Sequence, residues 1–421
     1  MSNRFTIVPW AKSAVIYEVN TRQYTPEGSF NSFAAHLPRL KEMGIDILWL
    51  MPVTPISLVE RQGSLGSYYA CSSYTNINPE FGTESDFRKL VEQAHALGMK
   101  LIIDWVANHT GYDHHWTKEH PEWYIKDEAG DFTERNGWKD VIDLDFSKLA
   151  MRQAMIEAMQ YWLKEYDIDG FRCDMAHLVP LDFWMEARAC CDAIKPGYWL
   201  AECEDVRYHE AFDTSYAWQW MHVTEKIVKG EASLHDMHEV LHSYSQYPKG
   251  SGKLFFTTNH DENSWNGTEY EKYGLCAKAW AVFTCTWQGV PLIYSGQENP
   301  NMKRLAFFDK DQIEWHKEPM LQSFYRTLLQ MRKSNTAITE GETFILPVEA
   351  APVMVYFRRK ENNQVLVLLN LSEQDKCTIP ISHEWLKGSY VNLFSGIEYH
   401  FSNEENFELL PGDYLVYIKR S

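Results

Sequence analysis

"TESDFRKLVEQAHALGMKLIID", residues 83–104, spells out one helix and the strand that follows it. Thr83 is a favoured helix-capping type, and Phe87, Leu90, Val91, Ala94 and Leu97 recur at the three- and four-residue spacing of one helical face. Gly98 supplies the left-handed residue that stops a helix. "KLIID" (100–104) then reads as a short strand covered on both faces, because a strand with one wet face would alternate apolar and polar residues.

The same unit recurs along the chain. Phe33, Leu37 and Leu40 form a stripe ended by Gly44 before "IDILWL" (45–50), and Met155, Met159, Trp162 and Tyr166 form another before "IDGFRCD" (168–174). Further strands are expected at "AVIYEV" (14–19), "YWLAE" (198–202), "KLFFTTN" (253–259) and "VPLIYS" (290–295), with an eighth near 216–223. Eight strands with helices between them predict an α/β fold of the closed (β/α)8 TIM-barrel type, and no glycine-rich dinucleotide fingerprint argues for an open sheet. The polar, aromatic stretch at 109–142 breaks the rhythm after the third strand and is expected as a short inserted domain on the rim that carries active sites. Barrel segments would then occupy 1–108 and 143–336. From 337 to 421 the pattern turns to paired β-rich runs, "VMVYFRRKENNQVLVLLNLS" (353–372) and "GDYLVYIKR" (412–420), which predict a C-terminal antiparallel β-sandwich.

Composition narrows the function. A formal charge of -18 over 421 residues repels phosphate backbones and anionic lipid, so neither nucleic acid nor membrane is expected as a partner. No run approaches the roughly 18 apolar residues of a membrane span. "MSNRFTIVPWAKSAV" lacks the charged and apolar regions of an export leader, and the eight Cys show no CxxC spacing, so a cytoplasmic protein with free thiols is expected. Sixteen Trp, 23 Tyr and 21 Phe suit stacking on the apolar faces of sugars, and equally suit a large core.

The chemistry lies at the expected strand ends. Residues i and i+2 of a strand share a face, so Arg172 and Asp174 project together, and the guanidinium is expected to lower the Asp174 pKa. An ordinary brace at the barrel mouth would use the same pair. Glu202 ends the next strand behind apolar and aromatic residues, where desolvation would keep its carboxyl protonated near neutrality. A charged acid beside a neutral one, about 5 Å apart, is what retaining glycoside hydrolysis requires. "IIDWVANHT" adds Asp104, Asn108 and His109, and "FFTTNHDEN" adds Asn259, His260 and Asp261. Either triplet alone would pass as a loop cap; four such clusters on one barrel would not.

These four segments resemble the signature regions of the α-amylase family, glycoside hydrolase family 13. The likeness continues through "GSYYACSSYTNINPEFGTESDFRKLVEQAHALGMKLIIDWVANHT" (66–110), "HPEWY" (120–124) and "GVPLIYSGQENPN" (289–301). The resemblance implies Asp174 as nucleophile, Glu202 as general acid and then base, and Asp261 as a third acid gripping ring hydroxyls. It also implies that Arg172 orients Asp174, that Asp104 fixes Arg172, that His109 and His260 bind hydroxyls of the sugar at the cleavage point, and that Tyr69 stacks beneath that sugar.

Two departures matter. Many starch-degrading members carry a Lys-His pair soon after the nucleophile; here Met175, Ala176, His177 and Leu178 follow, so His177 is counted with the sugar-binding residues while the Lys is absent. Short maltodextrins are therefore the expected α-glucan substrate. Many relatives also hold calcium, for which Asn108 and Asp143 could serve, but the short insertion offers no obvious set of six to eight oxygens, so no metal and no cofactor is expected. The histidines at 114, 115 and 120 read as loop residues, Cys173 as packed on the far face of its strand, and Trp116 and Trp123 either as cleft lining or as the buried centre of the insertion. A retaining α-1,4-glucosidic hydrolase is the leading expectation, an α-glucan transglycosylase with the same acids the close alternative, and a non-catalytic amylase-like binding or partner protein the remote one.

Overall fold

The computed structural model describes residues 5–348 and 352–420; residues 1–4 of the leader reading lie outside them. Eight parallel strands close into a barrel in chain order: Ile16–Val19, Ile47–Leu50, Lys100–Trp105, Gly170–Cys173, Tyr198–Ala201, Thr214–Tyr216, Gly252–Phe255 and Val290–Tyr294. The first strand pairs with the last through Ile16 opposite Leu292, which leaves no open edge. The architecture is the (β/α)8 barrel with a C-terminal antiparallel β domain.

The stretch that decides the fold behaves as its residue types dictate. Helix Glu84–Ala96 starts in a reciprocal cap, with Thr83 Oγ1 accepting from the Asp86 amide (3.2 Å) and Asp86 accepting from the Thr83 amide (2.9 Å). Phe87, Leu90, Val91 and Ala94 are buried beneath it, at roughly 1.5–3 kcal/mol for each large side chain. Gly98 sits at φ +68°, and the chain enters the third strand with all but its first residue buried. The stripe at 33–40 is broken into two helices, Phe30–Ala34 and Leu37–Met43, before Gly44.

Two strand expectations need correction. The stretch 216–223 is not a strand: Thr214–Tyr216 pairs in the barrel, and Trp218–Val228 is a helix that buries Trp220, Met221, Val223, Thr224 and Ile227. "KLFFTTN" leaves the ladder after Phe255, so Thr257 to Asp261 rise out of the sheet toward the rim. Gly170 meets a demand of close approach: at φ +144°, a Cβ there would lie 2.0 Å from the Tyr198 carbonyl oxygen of the adjoining strand.

The insertion is a two-stranded pair, His109–Gly111 with Val141–Asp143, and an aromatic centre. Trp116 and Trp123 meet edge to face at 5.0 Å and are both buried; His114 is buried against Tyr74, and His120 stacks on Trp123 at 3.9 Å. These residues fill the insertion and line none of the cavities described below. In the C-terminal domain a six-stranded antiparallel sheet faces the pair Cys377–Ser382 and Glu404–Leu409 around Val355, Phe357, Leu366, Leu368 and Ile379. Among the described residues no helix is long and apolar enough to cross a membrane.

Candidate active site

Asp174 and Glu202 each stand where a backbone bond carries the ladder one residue past its strand. The Asp174 amide donates to the Trp105 carbonyl and the Glu202 amide to the Cys173 carbonyl, both at 3.0 Å. Strand alternation sends Arg172 into the barrel while Phe171 and Cys173 pack outward, all fully buried. Arg172 Nη1 donates to Asp104 Oδ1 at 2.8 Å and to Asp174 Oδ1 at 2.9 Å, and Nε donates to the Tyr216 hydroxyl at 3.1 Å. Nη2 lies 2.9 Å from Glu202 Oε2, an ion pair that is not aligned as a hydrogen bond. One guanidinium thus serves three carboxylates.

Glu202 Oε2 also accepts from the Met175 amide at 2.8 Å. That amide is aimed by a left-handed backbone, φ +40° and ψ +46°, at a residue that is not glycine. Beneath Tyr69, Asp104 Oδ2 accepts from the Tyr69 hydroxyl at 3.0 Å and from Trp49 Nε1 at 3.2 Å. The Tyr69 ring stacks on His260 at 5.4 Å, and its hydroxyl lies 2.8 Å from His260 Nε2. That nitrogen is 3.3 Å from Asp261, while Nδ1 meets the carboxylate of Glu18, a fully buried residue of the first strand.

Burial dominates the electrostatics. It pushes Glu202 up to about 7, with Arg172 pulling down and the charges of Asp174 and Asp261 adding to the rise. Asp174 is not depressed as the sequence predicts: burial raises it to about 6, because Arg172 is shared and Asp104 and Asp261 repel its charge. Asp104 is likewise lifted by burial to about 6 against Arg172. Burial lowers His109 to about 4, a neutral imidazole. For His260 burial works downward too, but Asp261 and Glu18 outweigh it and hold the ring near 9.

Tyr69, His109, Asp174, Glu202, His260 and Asp261 line one cavity of about 260 Å³. Arg172 and Asp104 lie beneath its floor and line no part of it, so they act on the acids rather than on a bound molecule. His177 is exposed in an adjoining outer cavity of about 590 Å³, which shares Met175 and Glu202 with the inner one and adds Glu204, Trp218 and His222. A larger cavity of about 730 Å³, between the 55–80 loops and the insertion, includes none of these acids. Sequence reasoning missed Met175, Trp138 of the insertion, Trp265 of the helical turn Glu262–Asn266, and Phe307 and Phe308 of an irregular segment, all of which line the inner cavity. It also missed Glu18, although a Glu inside the apolar run "AVIYEV" was a usable signal.

The residues at the candidate calcium position do not fit that ion. Asp143 Oδ2 accepts from Arg135 Nε at 2.6 Å, and Asp143 Oδ1 accepts from the Asn108 amide nitrogen at 3.3 Å. The guanidinium takes the place of a cation, and among the described residues no group of three or more His, Cys, Asp or Glu is gathered to hold a metal.

Comparison with known proteins agrees with this geometry. The family described as "Alpha amylase, catalytic domain" matches residues 16–123 and 119–318. The crystal structure of a noncanonic maltogenic α-amylase, AmyB from Thermotoga neapolitana, superposes with a TM-score of 0.89 at 31% identity, covering 97% of this chain and 99% of that one. An α-amylase from Lactobacillus plantarum gives 0.88 at 30% identity, covering 98% and 100%. Among curated sequences, the α-amylase MalA of Haloarcula japonica is 26% identical over 389 residues, 87% of this chain; the chain spans 56% of that protein's length. With the acids gathered at the carboxyl ends of barrel strands and the family match running across most of the barrel, the chain belongs to the α-amylase family.

Proposed function

We propose that the protein is a retaining glycosidase that cleaves α-glucosidic bonds, α-1,4 above all, in short maltooligosaccharides. The observation that carries this reading is the meeting of Asp174, Glu202 and Asp261 in one cavity, two of them on the same guanidinium. The Asp174 carboxylate attacks the anomeric carbon and forms a glycosyl ester, while Glu202 gives its proton to the departing oxygen. Water then attacks that carbon; Glu202 takes the proton of the water, the ester bond breaks to Asp174, and the α-configuration returns. A Glu202 pKa near 7 suits both halves of the exchange, since the group must be acid in one step and base in the next.

Asp261 and His260 are assigned to ring hydroxyls, His109 to the same sugar from the insertion, and Tyr69 to its apolar face. Arg172 and Asp104 hold the acids, and His177 is assigned to the leaving side. The inner cavity is small, which favours short chains, and the Lys of polymer-degrading relatives is absent. No cofactor enters the reaction. Eight unpaired cysteines support a reducing, cytoplasmic setting, and the acidic charge supports a partner list of neutral sugars without nucleic acid or membrane. The likeness to the maltogenic α-amylase of Thermotoga neapolitana is in keeping with this reading.

Transfer to a sugar hydroxyl in place of water is a second reading, favoured by the outer cavity that opens directly on Glu202. Incubation with maltotriose, panose and sucrose, with products separated by size and the first anomer followed by NMR, tests both. Retained α-anomer and loss of activity in Asp174→Asn and Glu202→Gln are expected; a β-anomer, or full activity in either variant, would overturn the assignment.

A further inference from the structure

A carboxylate in the middle of a barrel strand is costly unless it has a partner, and Glu18 is fully buried. Its carbonyl accepts from Ser295, which is ordinary strand-end bonding, but its side chain has one ion-pair partner among the described residues, His260. Oε1 meets Nδ1 and lies 3.4 Å from the His260 amide, whereas Oε2 is buried with no hydrogen-bond partner. The opposite nitrogen, Nε2, faces Asp261 at 3.3 Å and the Tyr69 oxygen at 2.8 Å.

We propose that Glu18 is a positioning residue: its carboxylate grips Nδ1 of His260 and so aims the other ring nitrogen, with its proton, at Asp261 and at the sugar hydroxyls bound there. The inference rests on the glycosidase reading for its purpose, but its geometry stands without it. Tyr69 has a single hydroxyl proton, and it is given to Asp104. The Tyr69 oxygen must then accept from Nε2–H, while Nδ1–H donates to Glu18. Both ring nitrogens carry protons, so the ring is a cation between two carboxylates.

The groups around that ring agree. Asp261 on its own loop, Glu18 on the first strand and Asp104 on the third favour the charge; Arg172 and the desolvation of the site oppose it; Tyr69, Trp49 and Phe307 enclose it with aromatic surface. Removing the Glu18 charge leaves the ring with Asp261 beside it and Asp104 beyond the Tyr69 hydroxyl, so the proton on Nε2 is lost at a lower pH and the grip on the sugar fails first in alkaline solution.

Histidine-selective NMR on the intact wild-type protein, which needs no substrate, reads the first consequence. His260 should titrate near 9, and titration close to the ordinary 6.5 would overturn the proposal. In Glu18→Gln, which keeps shape and an acceptor, that titration should fall below about 8, and the alkaline limb of kcat should move down with it. On maltotriose kcat should drop about tenfold or more while KM changes less than about threefold. A residue acting only through His260 should add little to His260→Asn in a double-mutant cycle. An unmoved titration in Glu18→Gln, or an undiminished Glu18 effect without His260, would overturn the proposal. Inactive wild-type enzyme with the high titration intact would instead overturn the glycosidase reading.

Discussion

The Met175 amide donates to Glu202 Oε2 at 2.8 Å from a left-handed backbone conformation, so the residue after one acid orients the other. Two strands are locked together at their tips by that bond, and its geometry depends on a φ that most side chains resist.

A β-branched residue is the least able to hold that conformation. Met175→Val should cost about 1–2 kcal/mol and turn the amide away from Glu202, lowering kcat on maltotriose about tenfold. Asn tolerates left-handed backbone, so Met175→Asn should keep kcat within about threefold of wild type. Equal kcat in the Val and Asn variants would show that the amide does not matter to Glu202.

The buried acids set a trade between stability and activity. Glu202 rises from 4.5 to about 7 and Asp174 from 3.8 to about 6 on folding, so the stability they contribute is fully present below pH 4 and is lost as pH rises through 6 and 7. Glu202→Gln should therefore abolish hydrolysis yet stabilise the fold at pH 8 by on the order of 1–3 kcal/mol, with the gain vanishing near pH 4. Urea melts across that range check the sign. Parallel curves for variant and wild type would mean that Glu202 is not strained by burial.

Much of this architecture is legible in local pattern. Thr83, the stripe from Phe87 to Ala94, Gly98 and "KLIID" agree at every level, and the strand tips that follow such units carry Asp104, Arg172, Asp174 and Glu202. The sixth strand is only three residues long, below the reach of any period, and the apolar positions of helix Trp218–Val228 mimic a strand when read beside it. The Asp174 pKa departs from the lowered value that the sequence predicts because a sequence shows one Arg beside one Asp, not the three carboxylates that share it. Trp138, Phe307 and Phe308 come from loops whose positions depend on tertiary packing alone.

Arg135 and Asp143 bear on the metal question. Asp143 is fully buried, and its ion-pair partner is a guanidinium that is 58% exposed. Arg135→Ala should destabilise the insertion by about 1–2 kcal/mol, less than a fully buried pair would cost because Arg135 is partly solvated. Excess chelator should leave the wild-type Tm and hydrolysis unchanged. A chelator-induced fall in Tm that calcium restores would show that the insertion binds a metal after all.

The transfer reading predicts a role for Trp218 as the platform of the acceptor sugar. Trp218 lines the outer cavity beside Glu202, is stacked on His222 at 5.6 Å, and is followed by Gln219, whose amide donates to Glu204 at 2.9 Å. The ring is thus held to the same loop as the acid. An indole face contributes about 1 kcal/mol to a stacked sugar, so Trp218→Ala should lower the ratio of transfer to hydrolysis about fivefold on concentrated maltotriose. Hydrolysis of α-maltosyl fluoride, whose leaving group needs no sugar site, should stay within about twofold of wild type, because both acids and the inner cavity are untouched. Fluoride hydrolysis falling as far as transfer would mean that Trp218 supports Glu202 and does not bind the acceptor.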